Sequence, residues 1–328
     1  MSFRTAVIGV GHLGQQHARI HAAVAAEGKS ELAAVCDVDE ARAKQIASEW
    51  QVALTTDWQT LLGKVDAVSL AVPTESHCEI ACAFLESGTH VLVEKPISRT
   101  LDEADRMIEA ARKGSAILQV GHAERFNPAL VALRPHVKNP VYFEIHRVGQ
   151  FTARSLDIDV VLDLMIHDLD IVQWLVGEDV GVASVHAVGI PILTNRVDAA
   201  NARIEFDSGA VANITASRVG TERIRKMRFF QPRDYVVVDY ANNYASISSL
   251  AQSQVSPWPG VNTKVFEVNN VEPLRAEIES FIESASTNSR PVVSGEDGRR
   301  ALSLALRTLE QIHEHTVRIG ADALLQKA

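Results

Sequence analysis

Residues 4–26 read "RTAVIGVGHLGQQHARIHAAVAA": a short apolar run, three glycines, then a helical stretch. Gly9, Gly11 and Gly14 give the spacing G-x-G-x-x-G, with His12 and Leu13 inside the loop. No other segment restricts the fold as much. The first glycine permits a tight turn, the second lets backbone approach a pyrophosphate, and the third lets helix and strand pack closely. The helix start then presents unsatisfied N–H groups to an anion. A dinucleotide site is expected, against the plainer alternative of an ordinary βα turn.

The pattern repeats for roughly the first 120 residues, as βαβ units do. "ELAAVCDVD", "DAVSLAVP", "HVLVEKP" and "AILQVGH" read as further strands separated by helical stretches. Five strands are predicted, in a parallel sheet covered on both faces. Glycines after two of the helices, Gly88 and Gly114, are the expected left-handed stops. Beyond about residue 122 the rhythm changes. "VYFEIHRVGQF", "VASVHAVGI", "AANARIEF", "AVANITASRV", "IRKMRFFQ", "DYVVVDY" and "KVFEVNN" read as strands, and "DVVLDLMIHDLDIVQWLVG" as one long helix. The chain is therefore α/β: a doubly wound parallel sheet in residues 1–122, and an α+β domain with an open, mainly antiparallel sheet in 123–328. The C-terminal helices are expected to pack back on the first domain.

The formal net charge of −9 opposes a nucleic-acid phosphate binder, which needs a basic face. Three cysteines, Cys36, Cys78 and Cys82, do not make a disulfide framework, and buried structural roles are expected. No apolar run approaches the length of a membrane helix, and the N-terminus lacks the shape of a signal peptide. The expected setting is cytoplasmic.

In an open α/β sheet, ligands sit beyond the carboxyl ends of the strands. Asp37 ends the second strand, where a carboxylate accepts from ribose hydroxyls and repels a 2′-phosphate. That favours NAD over NADP, although Arg42 has the reach to meet a 2′-phosphate. Helix N-capping is the other use for Asp37. Pro73 and Thr74 follow the next strand and border the expected nicotinamide ribose. His77 opens a helix, as a ligand contact or as a surface or capping histidine.

Glu94-Lys95-Pro96 places a charged pair where a buried strand ends. Lys95 points toward the same crevice as the glycine loop, with Glu94 holding its ammonium or contacting the ribose. A surface ion pair is the bland alternative. "GHAERFNP" supplies His122, Glu124, Arg125 and Asn127, for substrate or for a salt-bridged hinge. Asp163, His167 and Asp170 fall at i, i+4 and i+7, one helix face, which is either solvated or lines a cleft. A histidine beside a nicotinamide is a credible general base. No metal is invoked.

The order of glycine loop, "EKP" and "DLMIHDLD" resembles the glucose–fructose oxidoreductase, inositol dehydrogenase and rhizopine-catabolism (Gfo/Idh/MocA) family. The resemblance covers nearly the whole chain. It implies a Rossmann domain, an antiparallel sheet that often forms the oligomer interface, and hence a homodimer or homotetramer. It places the family's lysine on Lys95 and its aspartate–histidine pair on Asp163 and His167. It also implies NAD(P)-dependent oxidation of a secondary hydroxyl on a sugar or nucleotide-sugar. "VGHAERFNP" is more similar to the branch acting on UDP-N-acetylglucosamine than to the inositol branch. In that branch Arg125, Arg147 or Arg154 would meet the diphosphate. The chain departs from the family by lacking a glycine pair before Asp163. His167 as base with Lys95 as polariser is favoured, with the reverse open. So are a free-sugar or inositol substrate and a non-catalytic NAD-dependent sensor.

Overall fold

A computed structural model describes residues 2–151, 158–251 and 260–318. It divides into two compact units: 2–123 with 272–302, and 124–271 with 303–318. The stretch 272–302 thus groups with the first unit by its contacts.

In the first unit, β1 (Arg4–Ile8), α1 (His12–Ala26), β2 (Glu31–Cys36), α2 (Glu40–Trp50), β3 (Ala53–Thr55), β4 (Ala67–Leu70), α3 (His77–Glu86), β5 (His90–Glu94), α4 (Leu101–Gly114) and β6 (Leu118–Gly121) follow in order. The strands are all parallel, arranged β3-β2-β1-β4-β5-β6. Order reverses between β1 and β4, so the loop after β1 opens at a topological switch point. Every residue of β4 is buried, as a strand covered on both faces requires. Ile20 and Val24 of α1 pack with Leu92 of β5 and with Ile278, Phe281 and Ile282.

Two expectations change here. The sheet has a sixth strand, β3, whose three residues are too few to show a periodic pattern. Gly114 is not the left-handed stop of α4; that residue is Ser115, with φ 53°. A Cβ on Gly114 would lie 1.7 Å from the Leu85 carbonyl oxygen, so close approach to α3 excludes a side chain. The Cys78 and Cys82 sulfurs lie 4.0 Å apart on α3. Burial pushes the Cys82 thiol up to about 12, so it stays protonated at neutral pH.

The second unit begins with α5 (Pro128–Leu133) and β7 (Tyr142–Gln150). A π-helical turn, Val161–Met165, leads into α6 (Ile166–Val176). Then come β8 (Val182–Ile190), β9 (Ala199–Phe206), β10 (Val211–Gly220), β11 (Ile224–Gln231), β12 (Asp234–Asp239), β13 (Tyr244–Ala251) and β14 (Gly260–Val265). The strands make one sheet, β14-β13-β12-β11-β7-β10-β9-β8. All neighbours are antiparallel except β7 and β10. Alternate residues of β9, β10 and β11 are buried, giving one core face and one open face.

The serine-rich strand β13 was not among the predicted strands, and β14 lies ahead of most of "KVFEVNN". The predicted long helix is interrupted at its start by the π turn. The chain continues through α7 (Pro273–Thr287) and α8 (Gly295–Arg318). Among the described residues no helix is long and apolar enough to cross a membrane.

Candidate active site

The glycine loop follows β1, and Gly11 is the N-cap of α1 with no side chain capping the helix. The first-turn N–H groups therefore lack the side-chain acceptor that usually satisfies one of them. A Cβ on Gly11 would meet nothing within 4 Å, so the space above the loop is open. A Cβ on Gly14 would lie 1.8 Å from the Gly9 carbonyl oxygen, which locks loop and helix together. His12 and Leu13 are exposed in the first turn of α1. This arrangement fits a pyrophosphate.

Asp37, just past β2, is buried. Its carboxylate accepts from the N–H of Val10 at 2.8 Å and of Asp39 at 2.9 Å. Arg42 Nη1 lies 3.3 Å from both carboxylate oxygens. Asp37 therefore clasps the glycine loop, and the helix N-cap is Asp39. Pro73 is exposed and Thr74 half-buried beyond β4.

His77 is buried, and it is neither a surface nor a capping histidine. Its Nδ1 lies 3.1 and 3.2 Å from the Pro96 and Ile97 carbonyl oxygens, and its Nε2 lies 3.0 Å from the Val72 carbonyl oxygen. It ties the loop after β4 to the turn after β5. Burial holds its pKa below the usual value, against the pull of those carbonyls.

Glu94 is also buried, and its Oε1 lies 2.9 Å from His17 Nε2. Its Oε2 accepts from the Lys95 N–H at 3.2 Å. Burial pushes the Glu94 carboxyl up. The His17 bond and the nearby Lys95 charge outweigh that and leave it below its ordinary value. Lys95 itself is half-buried, and the Lys95–Pro96 peptide is cis. His17 was not among the expected site residues. The signal was local: "HARIH" sets His17 and His21 one turn apart on an apolar helix face, and neither is exposed to solvent.

In the second unit Asp163 lies in the π turn and His167 in the first turn of α6, both half-buried. Single-turn π segments recur at functional positions. Asp170 does not share their exposure. It is buried and receives Arg125 through two bonds of 2.8 and 2.6 Å. Asp168, absent from the expected set, is buried and receives Arg147 at 2.6 and 2.8 Å. Arg147 also donates to Glu124 at 2.9 Å. Burial opposes the charge on Arg147, but Asp168 and Glu124 raise its pKa well above the ordinary value. Burial likewise pushes the Asp168 carboxyl up, against the pull of Arg147. The two-pronged geometry fixes Asp168 as the anion, since such a fork needs two acceptor oxygens.

The forks of Arg125 and Arg147 are therefore turned on internal carboxylates. Asn127 caps α5, accepting from the Ala129 N–H at 3.1 Å. His122 is buried at the end of the first unit. Arg154 lies outside the described residues.

Residues 3–122 match the model of the oxidoreductase family with an NAD-binding Rossmann fold, and 130–231 match the GFO/IDH/MocA C-terminal domain. The UDP-N-acetylglucosamine 3-dehydrogenase of Acidithiobacillus ferrooxidans is 38% identical over 325 residues, covering 99% of each chain. The chain belongs to the Gfo/Idh/MocA family of oxidoreductases. A solved structure of that Acidithiobacillus enzyme superposes with a TM-score of 0.87, covering 94% of this chain and 97% of the other. The myo-inositol 2-dehydrogenase of Thermotoga maritima is 28% identical, covering 95% of this chain and 96% of its own. Levoglucosan dehydrogenase, solved with NADH and levoglucosan, shares the fold at TM-score 0.83 and 18% identity, over 96% and 98% of the two chains. As a family member the protein is an NAD-dependent oxidoreductase acting on CH–OH groups.

Proposed function

We propose that the protein oxidises a secondary hydroxyl of UDP-N-acetylglucosamine, that at C3. The observation carrying this reading is the 38% identity, over 99% of both chains, to a dehydrogenase of that name. Bound NAD supplies the hydride acceptor. The candidate cofactor residues are Gly9, Gly11, Gly14, His12, Leu13, Pro73 and Thr74, with Asp37 and Arg42 at the adenosine ribose.

In the proposal His167 takes the hydroxyl proton as hydride leaves the same carbon. Lys95 donates to the substrate oxygen and stabilises its developing charge. Asp163, one turn before His167, orients the imidazole or the sugar. Arg125 and Arg147 serve as internal struts for α6 and β7 rather than as diphosphate contacts, because Asp170 and Asp168 fill their donor forks. Glu94 and His77 act on the Lys95 turn, not on the ribose.

NADH absorbance with a panel of UDP-N-acetylglucosamine, UDP-glucose, myo-inositol and glucose tests this. The expected kcat/KM is highest for UDP-N-acetylglucosamine, by roughly two orders of magnitude over the free polyols. Equal or better turnover of myo-inositol would give the function to the inositol reading, which the 28% relative supports.

A homo-oligomer is part of the same proposal. On the open face of the second sheet Phe230 packs against Tyr142 and Tyr235, with ring centroids 5.9 and 5.1 Å away. Val188 and Ile190 are exposed on the same face of β8. Sedimentation equilibrium is expected to give a dimer or tetramer; a monomer at micromolar concentration counts against it.

A further inference from the structure

The EKP turn is held by a residue of the helix that follows the glycine loop. Glu94 is hemmed on three sides. His17 meets Oε1 at 2.9 Å, the Lys95 N–H meets Oε2 at 3.2 Å, and Gly121 lies opposite in β6. A Cβ on Gly121 would lie 3.0–3.1 Å from the carboxylate atoms, so the glycine leaves the space the carboxylate fills. A carboxylate only accepts, so His17 Nε2 carries the hydrogen. His17 is wholly buried and sits one turn beyond Gly14, whose contact with Gly9 locks that helix to the loop.

We infer that His17 is a positioning residue: through Glu94 it fixes the backbone of Lys95 relative to the glycine loop, so that nicotinamide and lysine are placed by one rigid element. The reasoning is geometric. α1 fixes the cofactor's pyrophosphate at its start and the Glu94 carboxylate five residues later. Glu94 Oε2 accepts from the Lys95 N–H at 3.2 Å, so the carboxylate that His17 holds in turn holds the lysine backbone. His77 braces the same turn from α3, at Pro96 and Ile97, and its other nitrogen faces the Val72 carbonyl. His17 couples the turn to the cofactor helix. A misplacement of about 1 Å costs roughly 100-fold in rate when reacting groups must be aligned.

The inference rests on the oxidoreductase reading, with Lys95 acting on substrate, and its test has a readout that needs no substrate. The variants are His17→Leu, which removes the donor, and His17→Gln, whose amide N–H reaches a similar position. The first readout is kcat on UDP-N-acetylglucosamine against the Kd for NADH. The second is the rate at which acetic anhydride labels Lys95 in the NADH-loaded protein, with the other lysines as internal standards.

His17→Leu is expected to lower kcat by roughly 10- to 100-fold and to change Lys95 labelling by about threefold or more. Its NADH Kd should stay within about threefold of wild type, and His17→Gln should restore all three values. Unchanged kcat and labelling in His17→Leu overturns the inference. So does a Gln variant as impaired as Leu, or a loss of NADH binding that matches the loss of kcat. If the wild type fails to turn over any sugar, the substrate reading fails while the labelling still decides the role of His17.

Discussion

Asp168 and Arg147 face each other across 21 residues of chain, joined by two bonds of 2.6 and 2.8 Å with almost no solvent contact. Removing Arg147 strips Asp168 of both these bonds in the interior, and removing Asp168 leaves the buried Arg147 with Glu124 in place of two carboxylates. Asp168→Ala is expected to destabilise the protein by roughly 3–5 kcal/mol, and Arg147→Leu similarly. The double variant should lose clearly less than the sum of the two, because the buried charges vanish together. Urea denaturation of the four proteins checks this; additive losses would show that the pair is not coupled.

Acid sensitivity follows from His21. It is wholly buried, its Nε2 meets the Ser69 hydroxyl at 2.8 Å, and burial followed by the His17 charge lowers its pKa to about 3. The unfolded chain titrates this group near pH 6.5 and so binds more protons between those values. Stability from this group is therefore complete above about pH 6.5 and falls as pH drops toward 3. A His21→Gln variant should show a shallower decline of melting temperature over that range. An unchanged slope would assign the acid sensitivity to other groups.

Gly14→Ala places a methyl where only 1.8 Å separates it from the Gly9 carbonyl oxygen. Loop and α1 must separate, and the N–H groups at the helix start lose their alignment. NADH affinity is expected to fall by about 100-fold, read by fluorescence titration. Gly63→Ala, at an open turn remote from the loop in sequence, is the control for general destabilisation. Retained NADH binding in Gly14→Ala would place the cofactor elsewhere.

Coenzyme choice should answer to Asp37. Asp37→Ser removes the charge that repels a 2′-phosphate while Arg42, now 3.3 Å from that carboxylate, becomes available to it. The ratio of NADPH to NADH affinity is expected to rise by roughly tenfold or more. Adding Arg42→Ala to the variant should cancel most of that gain. A ratio unmoved by Asp37→Ser would take coenzyme discrimination away from this residue.

What the sequence revealed was whatever is encoded locally. Gly9, Gly11 and Gly14 lie within six residues, and their spacing alone implies strand, turn and helix. The strand ends at Asp37 and Glu94 were equally visible, because apolar runs stop there. The partners of those residues were not. Glu94 and His17 are 77 positions apart, and no local pattern joins a helix histidine to a distant strand end. Arg125 and Arg147 read as open forks because their carboxylates, Asp170 and Asp168, lie on a helix whose polar stripe suggested solvent or cleft. β13 was hidden because "YASISSLA" carries serines where a strand signal needs branched or aromatic residues.

In the proposed reaction His167 takes the hydroxyl proton while Lys95 stabilises the charge developing on the same oxygen. Stopped-flow measurement of NADH formation in a single turnover of UDP-N-acetylglucosamine tests it most directly, using Lys95→Met, His167→Asn and the double variant. Each single change is expected to slow hydride transfer by roughly a thousandfold with NADH affinity retained, and the double variant by little more than either. A near-normal rate in Lys95→Met, or losses that multiply in the double variant, would contradict the account.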